Sequence, residues 1–158
     1  MHDLPRHIDG YGPVRPQGPV PAPCRSKLRA DLDAAIAACD LSDGATVSFH
    51  HHLRNGDAVL NMVLDRLAAR GLKDLHVAAT SIFPVHAPLI EHIRRGTVTR
   101  LSASFISGPV GEAISRGLVP HPVVLRTHGG RARALDMGEL QVDAAFVAAP
   151  ASGEMGHL

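Results

Sequence analysis

The chain has little aromatic residue, little cysteine and no surplus of charge. It has no tryptophan, one tyrosine and four phenylalanines in 158 residues. A core of that size must then be filled by Ala, Val, Leu and Ile, as in parallel sheets covered by helices. Two cysteines, Cys24 and Cys39, cannot make a disulfide framework. Each is expected as a small buried or half-buried side chain in a reducing, cytoplasmic setting. Sixteen basic against fifteen acidic residues leave a formal charge of +1. That balance gives no electrostatic case for a nucleic-acid partner. No apolar run approaches the roughly 20 residues of a membrane helix, and the polar, proline-rich N-terminus is no signal peptide.

Hydrophobic residues make up 45% of the chain, and its length fits one domain. Gly10, Gly12, Pro13, Pro16, Gly18, Pro19, Pro21 and Pro23 make residues 1–23 an irregular arm, with the α/β domain expected over 24–158. Beyond the arm, strand and helix patterns alternate. Strands are expected at 45–49, 75–79, 97–103, 122–126 and 142–148. Ser26 is expected to cap a helix running to about residue 38. Asp57 is expected to cap a helix over 58–70, with Val59, Met62, Val63, Leu67 and Ala68 as its buried stripe. Shorter helices are expected at 87–95, 110–116 and 131–136. The alternation predicts an open, mostly parallel sheet with helices on both faces.

Three loops carry the chemistry. Val47-Ser48-Phe49 ends in His50-His51-His52, followed by Leu53-Arg54-Asn55-Gly56-Asp57. Imidazoles, an Asn and backbone amides near a helix start suit an anionic, carbonyl-bearing ligand at the carboxyl end of a strand. His50 and His52 could also chelate a metal from one face of a strand, but no Cys pair or HExxH motif completes a set, so no metal site is expected. A solvated loop is a third reading. Asn55-Gly56 alone is mostly a turn signal. After the third strand comes Ser107-Gly108-Pro109-Val110-Gly111-Glu112, which also reads as a plain loop. After the fourth come Thr127-His128-Gly129-Gly130-Arg131-Ala132-Arg133, with exposed amides and cations suited to phosphate or carboxylate, or else a tight turn with surface arginines. All three lie at one edge of the expected sheet and are expected to converge on one pocket. No dinucleotide, Walker or Gly-x-Ser-x-Gly fingerprint is present, and Glu91 and Glu112 read as solvated carboxylates on helices.

Four blocks in order carry a resemblance. They are His7-Ile8-Asp9-Gly10-Tyr11-Gly12-Pro13-Val14-Arg15-Pro16, the block from Val47 to Asp57, Val85-His86-Ala87-Pro88-Leu89-Ile90-Glu91-His92-Ile93, and Thr127 to Ala134. Together they resemble the citrate lyase α subunit. The resemblance implies a CoA-transferase-like fold and a citrate:acetyl-carrier transferase, which exchanges acetate for citrate on a thioester. It implies that no cofactor is bound tightly by this chain, the CoA-like prosthetic group being carried on the acyl carrier γ subunit. The β subunit then cleaves the citryl thioester to oxaloacetate. His50, His51, His52, Asn55, Gly56, Ser107, Gly108, His128, Gly129, Gly130 and Arg131 are the residues expected to face the thioester and citrate. No nucleophile is identified. The family carries a second α/β half, so this chain is expected to be an N-terminal portion, inactive alone. The alternative is a non-catalytic α/β module that binds a small carboxylate or a partner subunit.

Overall fold

Strand β3 (Thr46–His50), strand β4 (Leu75–Ala79), strand β6 (Val98–Ala103), strand β8 (Val124–Leu125) and strand β9 (Ala144–Val147) form a five-stranded sheet in the computed structural model. Their order is β8-β6-β4-β3-β9 and every neighbouring pair is parallel. The structure describes residues 7–8, 12–13, 27–50 and 55–149. The chain divides into two compact units, the first holding the N-terminal residues and the second beginning at Arg29.

In the first unit, strand β1 (His7–Ile8) pairs antiparallel with strand β2 (Gly12–Pro13), His7 opposite Pro13. The arm was expected to hold no regular structure. A two-residue pair tolerates Pro13 because proline's missing N–H matters only inside a longer ladder. The rest of the arm, Ser26 included, lies outside the described residues.

In the second unit, helix α1 (Leu32–Ala37) starts later than expected, because Asp31 caps it and accepts the Ala34 N–H at 2.8 Å. Cys39, just beyond, is exposed and unbridged rather than buried. Helix α2 (Val59–Ala69) follows β3, and the Asp57 carboxylate takes its first N–H, from Val59, at 2.8 Å. Its buried stripe is Leu60, Val63, Leu64 and Leu67, so Met62 faces outward at 52% exposure. Two apolar stripes are possible on this helix, and the continuous i, i+3, i+4, i+7 leucine and valine row is the one the sheet selects. The connection from β4 runs through strand β5 (Ser81–Ile82), a 3-10 turn (Pro84–His86) and helix α3 (Leu89–Arg94). β5 pairs parallel with strand β7 (Phe105–Ile106), a small second sheet that the loop reading of this region missed.

Helix α4 (Gly108–Ser115) and helix α5 (His128–Asp136) each begin earlier than expected. Pro109 suits the first turn of α4, where its lost N–H costs nothing. In α5 the Thr127 hydroxyl accepts the Gly130 N–H at 2.9 Å, so His128, Gly129 and Gly130 are a capped first turn and not a loop.

The main core lies on one face of the sheet. Val47, Phe49, Leu75, Val77 and Leu101 meet Leu60, Val63, Leu64 and Leu67 of α2, Leu89 and Ile93 of α3, and Val110 of α4. On the opposite face, Ala78 meets Ala134 of α5 and Leu140 in a smaller cluster. The chain steps from β3 to β4, β6 and β8 in one direction, then crosses under α5 to place β9 on the far side of β3. The carboxyl end of β3 therefore sits at the point where the winding reverses, the usual ligand position in such sheets.

Candidate functional site

The sheet face that carries α5 is polar in rows, because side chains alternate along each strand and registers align them across strands. The first row is Thr46, His76 and Arg100. His76 Nδ1 lies 3.5 Å from Thr46 Oγ1, and its Nε2 lies 3.0 Å from Ser102 Oγ in the next row. Arg100 donates to the carbonyls of Gly44 at 2.8 Å and Asp74 at 3.0 Å. Burial, then the charges of Arg100 and Arg131, push the His76 pKa below its ordinary value, so the imidazole is held neutral.

The second row is Ser48, Ala78 and Ser102. Arg131 reaches back from α5 to this row. Its Nη2 donates to Ser48 Oγ at 2.7 Å and to the Ala78 carbonyl at 3.0 Å. Burial lowers its pKa, but a guanidinium stays charged at neutral pH.

The third row lies at the carboxyl edge. Backbone bonds carry the ladder one residue past the strands: Thr80 N–H to Phe49 O, Ser104 N–H to Thr80 O, and Arg126 N–H to Ala103 O. His50 ends β3, and Thr80, Ser104 and Arg126 are the residues that follow directly on β4, β6 and β8. His50 is exposed and Thr80 is buried. Arg126 Nη1 meets Glu139 Oε2 at 3.3 Å. Ser104 Oγ and Arg126 Nε are buried with no hydrogen-bond partner among the described residues. The first turn of α5 lies against Arg126: a Cβ on Gly130 would lie 3.9 Å from Arg126 Cβ.

A second group gathers on the other side of the same edge. His86 is fully buried. Its Nδ1 accepts the Phe83 N–H at 3.0 Å, and its Nε2 donates to the Asp57 carbonyl at 3.0 Å. This ring staples the loop after β3 to the 3-10 turn. Gly56, at φ +79°, lies against it, and a Cβ there would come within 2.8 Å of His86 Cε1. Gly108, at φ +67°, lies against Pro84 in the same way, its Cβ position 2.9 Å from Pro84 Cγ. Both glycines thus permit close approach of the loops to the 83–86 segment. Beside them a groove of about 1030 Å³ runs along α4, with Ser107, Gly108, Gly111 and Ser115 on one wall and Pro120 and His121 on the other.

The structure therefore brings His50, His128, Gly129, Gly130 and Arg131 to the polar side of the edge. Asn55, Gly56, Ser107 and Gly108 lie on the side of the main core. His51 and His52 lie outside the described residues. Among the described residues, no group of three or more His, Cys, Asp or Glu side chains could hold a metal ion. No helix among them is long and apolar enough to cross a membrane. Sequence reasoning gave no chemistry to His86, Thr80, Ser104 or Arg126. The available signal for Arg126 was its place ending the expected fourth strand.

An open parallel α/β sheet with polar groups gathered at its carboxyl edge belongs to the doubly wound class, in which that edge is the usual ligand position. The family is narrower. The model for "Citrate lyase, alpha subunit" matches residues 25–158, and the chain belongs to that family. It is 49% identical to the citrate lyase alpha chain of Escherichia coli and 44% identical to that of Haemophilus influenzae, each over 131 residues. Both alignments cover 83% of this chain and 26% of the relative, so the chain spans about a quarter of the length of the curated relatives it matches. A crystal structure described as the α subunit of citrate lyase in complex with citrate, from Streptococcus mutans, superposes with a TM-score of 0.80 at 42% identity. It covers 99% of this chain and 30% of that one.

Proposed function

We propose that this chain supplies one wall of the site at which a citrate lyase α subunit exchanges acetate for citrate on a carrier thioester. The observation that carries the reading is the set of polar residues along the carboxyl edge, from His50 at the switch point to Arg126 beside the capped start of α5. It lies on a fold shared with a subunit described in complex with citrate. Citrate is a polycarboxylate, and a strand edge with an arginine and a helix N-terminus suits carboxylate. In the exchange, the bond from the acetyl carbon to the carrier sulfur breaks, and the acetyl carbon takes an oxygen from a citrate carboxylate, whose C–O bond breaks, and leaves as acetate. A citrate carboxyl carbon takes its place on that sulfur, and a β subunit would cleave the product. The thioester arm arrives as substrate on an acyl carrier subunit. The groove along α4, about 1030 Å³ and lined by the small residues Gly108, Gly111 and Ser115, is the place proposed for such an arm. Free, exposed Cys39 suits the reducing cytoplasm in which this chemistry is expected.

Turnover on this reading needs residues that the relatives carry beyond the matched quarter. The test has two arms. Calorimetric titration of the chain with citrate should show saturable binding, and no binding at millimolar citrate would overturn the reading. Incubation of the chain with acetylated carrier and labelled citrate should give no citryl carrier. Transfer by the chain alone would show that its own residues complete the site. Saturable binding with no transfer even in the full-length subunit and its partners would instead favour a non-catalytic carboxylate-binding module.

A further inference from the structure

We propose that Ser104 and Arg126 form a carboxylate clamp at the carboxyl edge. Glu139 holds this clamp in its free state, and an entering carboxylate displaces Glu139. The inference rests on the proposed citrate-binding role and assigns two side chains and a competitor to it.

Ser104 and Arg126 follow directly on the paired residues Ala103 and Leu125 of adjacent parallel strands, which run about 4.8 Å apart. Ser104 Oγ and Arg126 Nε are both buried without a hydrogen-bond partner among the described residues. Native proteins rarely leave such atoms unpaired, and each one calls for an explanation. Here the two orphans lie just past the end of the same strand pair, and both can donate. An acceptor with two oxygens satisfies both, or satisfies Nε and one Nη while Ser104 takes a second lone pair.

Arg131 is tied to Ser48 and Ala78. Arg100 is held to Gly44 and Asp74 through Nη2, at the amino end of the strands and away from the carboxyl edge, although its Nε also has no partner among the described residues. The only hydrogen bond of the Arg126 guanidinium among the described residues is to Glu139, through Nη1 at 3.3 Å. That pair is part-exposed, with side chains 30% and 44% accessible, so water screens it and it breaks at little cost. The residue that occupies Arg126 is itself a carboxylate, placed where a ligand carboxylate would compete. Release from Glu139 frees Nη1 for the ligand beside the unpartnered Nε. The capped start of α5 beside Arg126 adds a partial positive charge on the same side.

Citrate titrations of the 158-residue chain test the assignment, with folding followed by circular dichroism. Arg126→Gln should weaken citrate binding by about tenfold or more, and Ser104→Ala by about threefold. Arg126→Lys keeps the charge without the fork and should fall between wild type and Arg126→Gln. Glu139→Gln should tighten binding by about two- to fivefold, since the competitor loses its charge. Arg94→Gln, on the outer surface of α3, should bind as wild type. If Arg126→Gln fails to fold, Arg126→Lys and Glu139→Gln decide. Wild-type affinity in the folded Arg126 and Ser104 variants would overturn the clamp and leave the citrate reading standing. Weaker binding by Glu139→Gln would overturn the displacement. No citrate binding by the wild type would overturn the citrate reading and the clamp with it.

Discussion

On one face of the sheet, Val47, Phe49, Val77 and Leu101 are sealed under α2, α3 and α4. On the other, Thr46, Ser48, His76 and Ser102 occupy the alternate positions of the same strands, under α5 and a cluster of only Ala78, Ala134 and Leu140. The backbone ladder is common to both, so the difference lies in side chains alone. The first face removes apolar area from water and accounts for most of the hydrophobic stabilisation. The second holds Thr46, Ser48 and Ser102 buried and His76 half-buried, each with a polar partner. The comparison teaches a division of labour: one face holds the strands in place, and the other ends, at the carboxyl edge, in Ser104 Oγ and Arg126 Nε without partners among the described residues.

The division breaks most visibly if the apolar face proves dispensable. Phe49 is 1% exposed and its ring stacks on Phe146 at 5.7 Å between centroids. Phe49→Ala should destabilise the chain by about 3–5 kcal/mol in urea unfolding, through lost transfer energy and the cavity left behind. A loss under about 1 kcal/mol would mean that the main core does not carry the fold.

A smaller effect is expected from the polar face. Arg131→Met keeps much of the side-chain volume but leaves the Ser48 hydroxyl and the Ala78 carbonyl without their donor. The expected cost is about 1–3 kcal/mol by the same measurement. A cost equal to that of Phe49→Ala would erase the distinction between the faces. No cost would mean that water replaces the guanidinium freely and that Arg131 is available to a ligand.

The two faces were unequally legible in the sequence. The run Leu75–Ala79 reads as a strand because five residues without a polar break other than His76 fit only a buried ladder, and the structure bounds it at the same residues. Helix α2 was legible as a helix but its orientation was not. Val59, Leu60, Met62, Val63 and Leu64 are all apolar, so the buried stripe is chosen by the sheet and not by the pattern. At α5 the pair Gly129-Gly130 argues for a loop, and the Thr127 cap overrides it locally. The family was legible because its blocks are contiguous in sequence. The third row was not: Ser104 becomes a neighbour of Arg126 only once the order β8-β6-β4 is known. His86 was opaque for the same reason, since its partner Asp57 lies 29 residues away.

The smallest effect sharpens the polar face by pH. His76 is enclosed by Thr46 and Ser102, with Arg100 and Arg131 as the nearby charges. Its pKa in the folded chain is lowered from 6.5, first by burial and then by the two arginines. As pH falls below 6.5, the unfolded chain takes up a proton that folded His76 resists. Unfolding then binds protons, so stability falls with pH through that window and levels off once the folded imidazole protonates. Above 6.5 the group contributes no pH dependence. The other histidines and the carboxylates titrate too, so the informative quantity is the difference between wild type and His76→Gln, which keeps a donor and an acceptor without the charge. Melting temperatures of the two should run parallel above neutrality and converge toward pH 5, with wild type losing more. Parallel curves throughout would show that His76 titrates as freely in the folded chain as in the unfolded one. The two arginines would then exert no measurable field on this face, and the charge that favours a carboxylate at the third row would have to come from Arg126 and the α5 terminus alone.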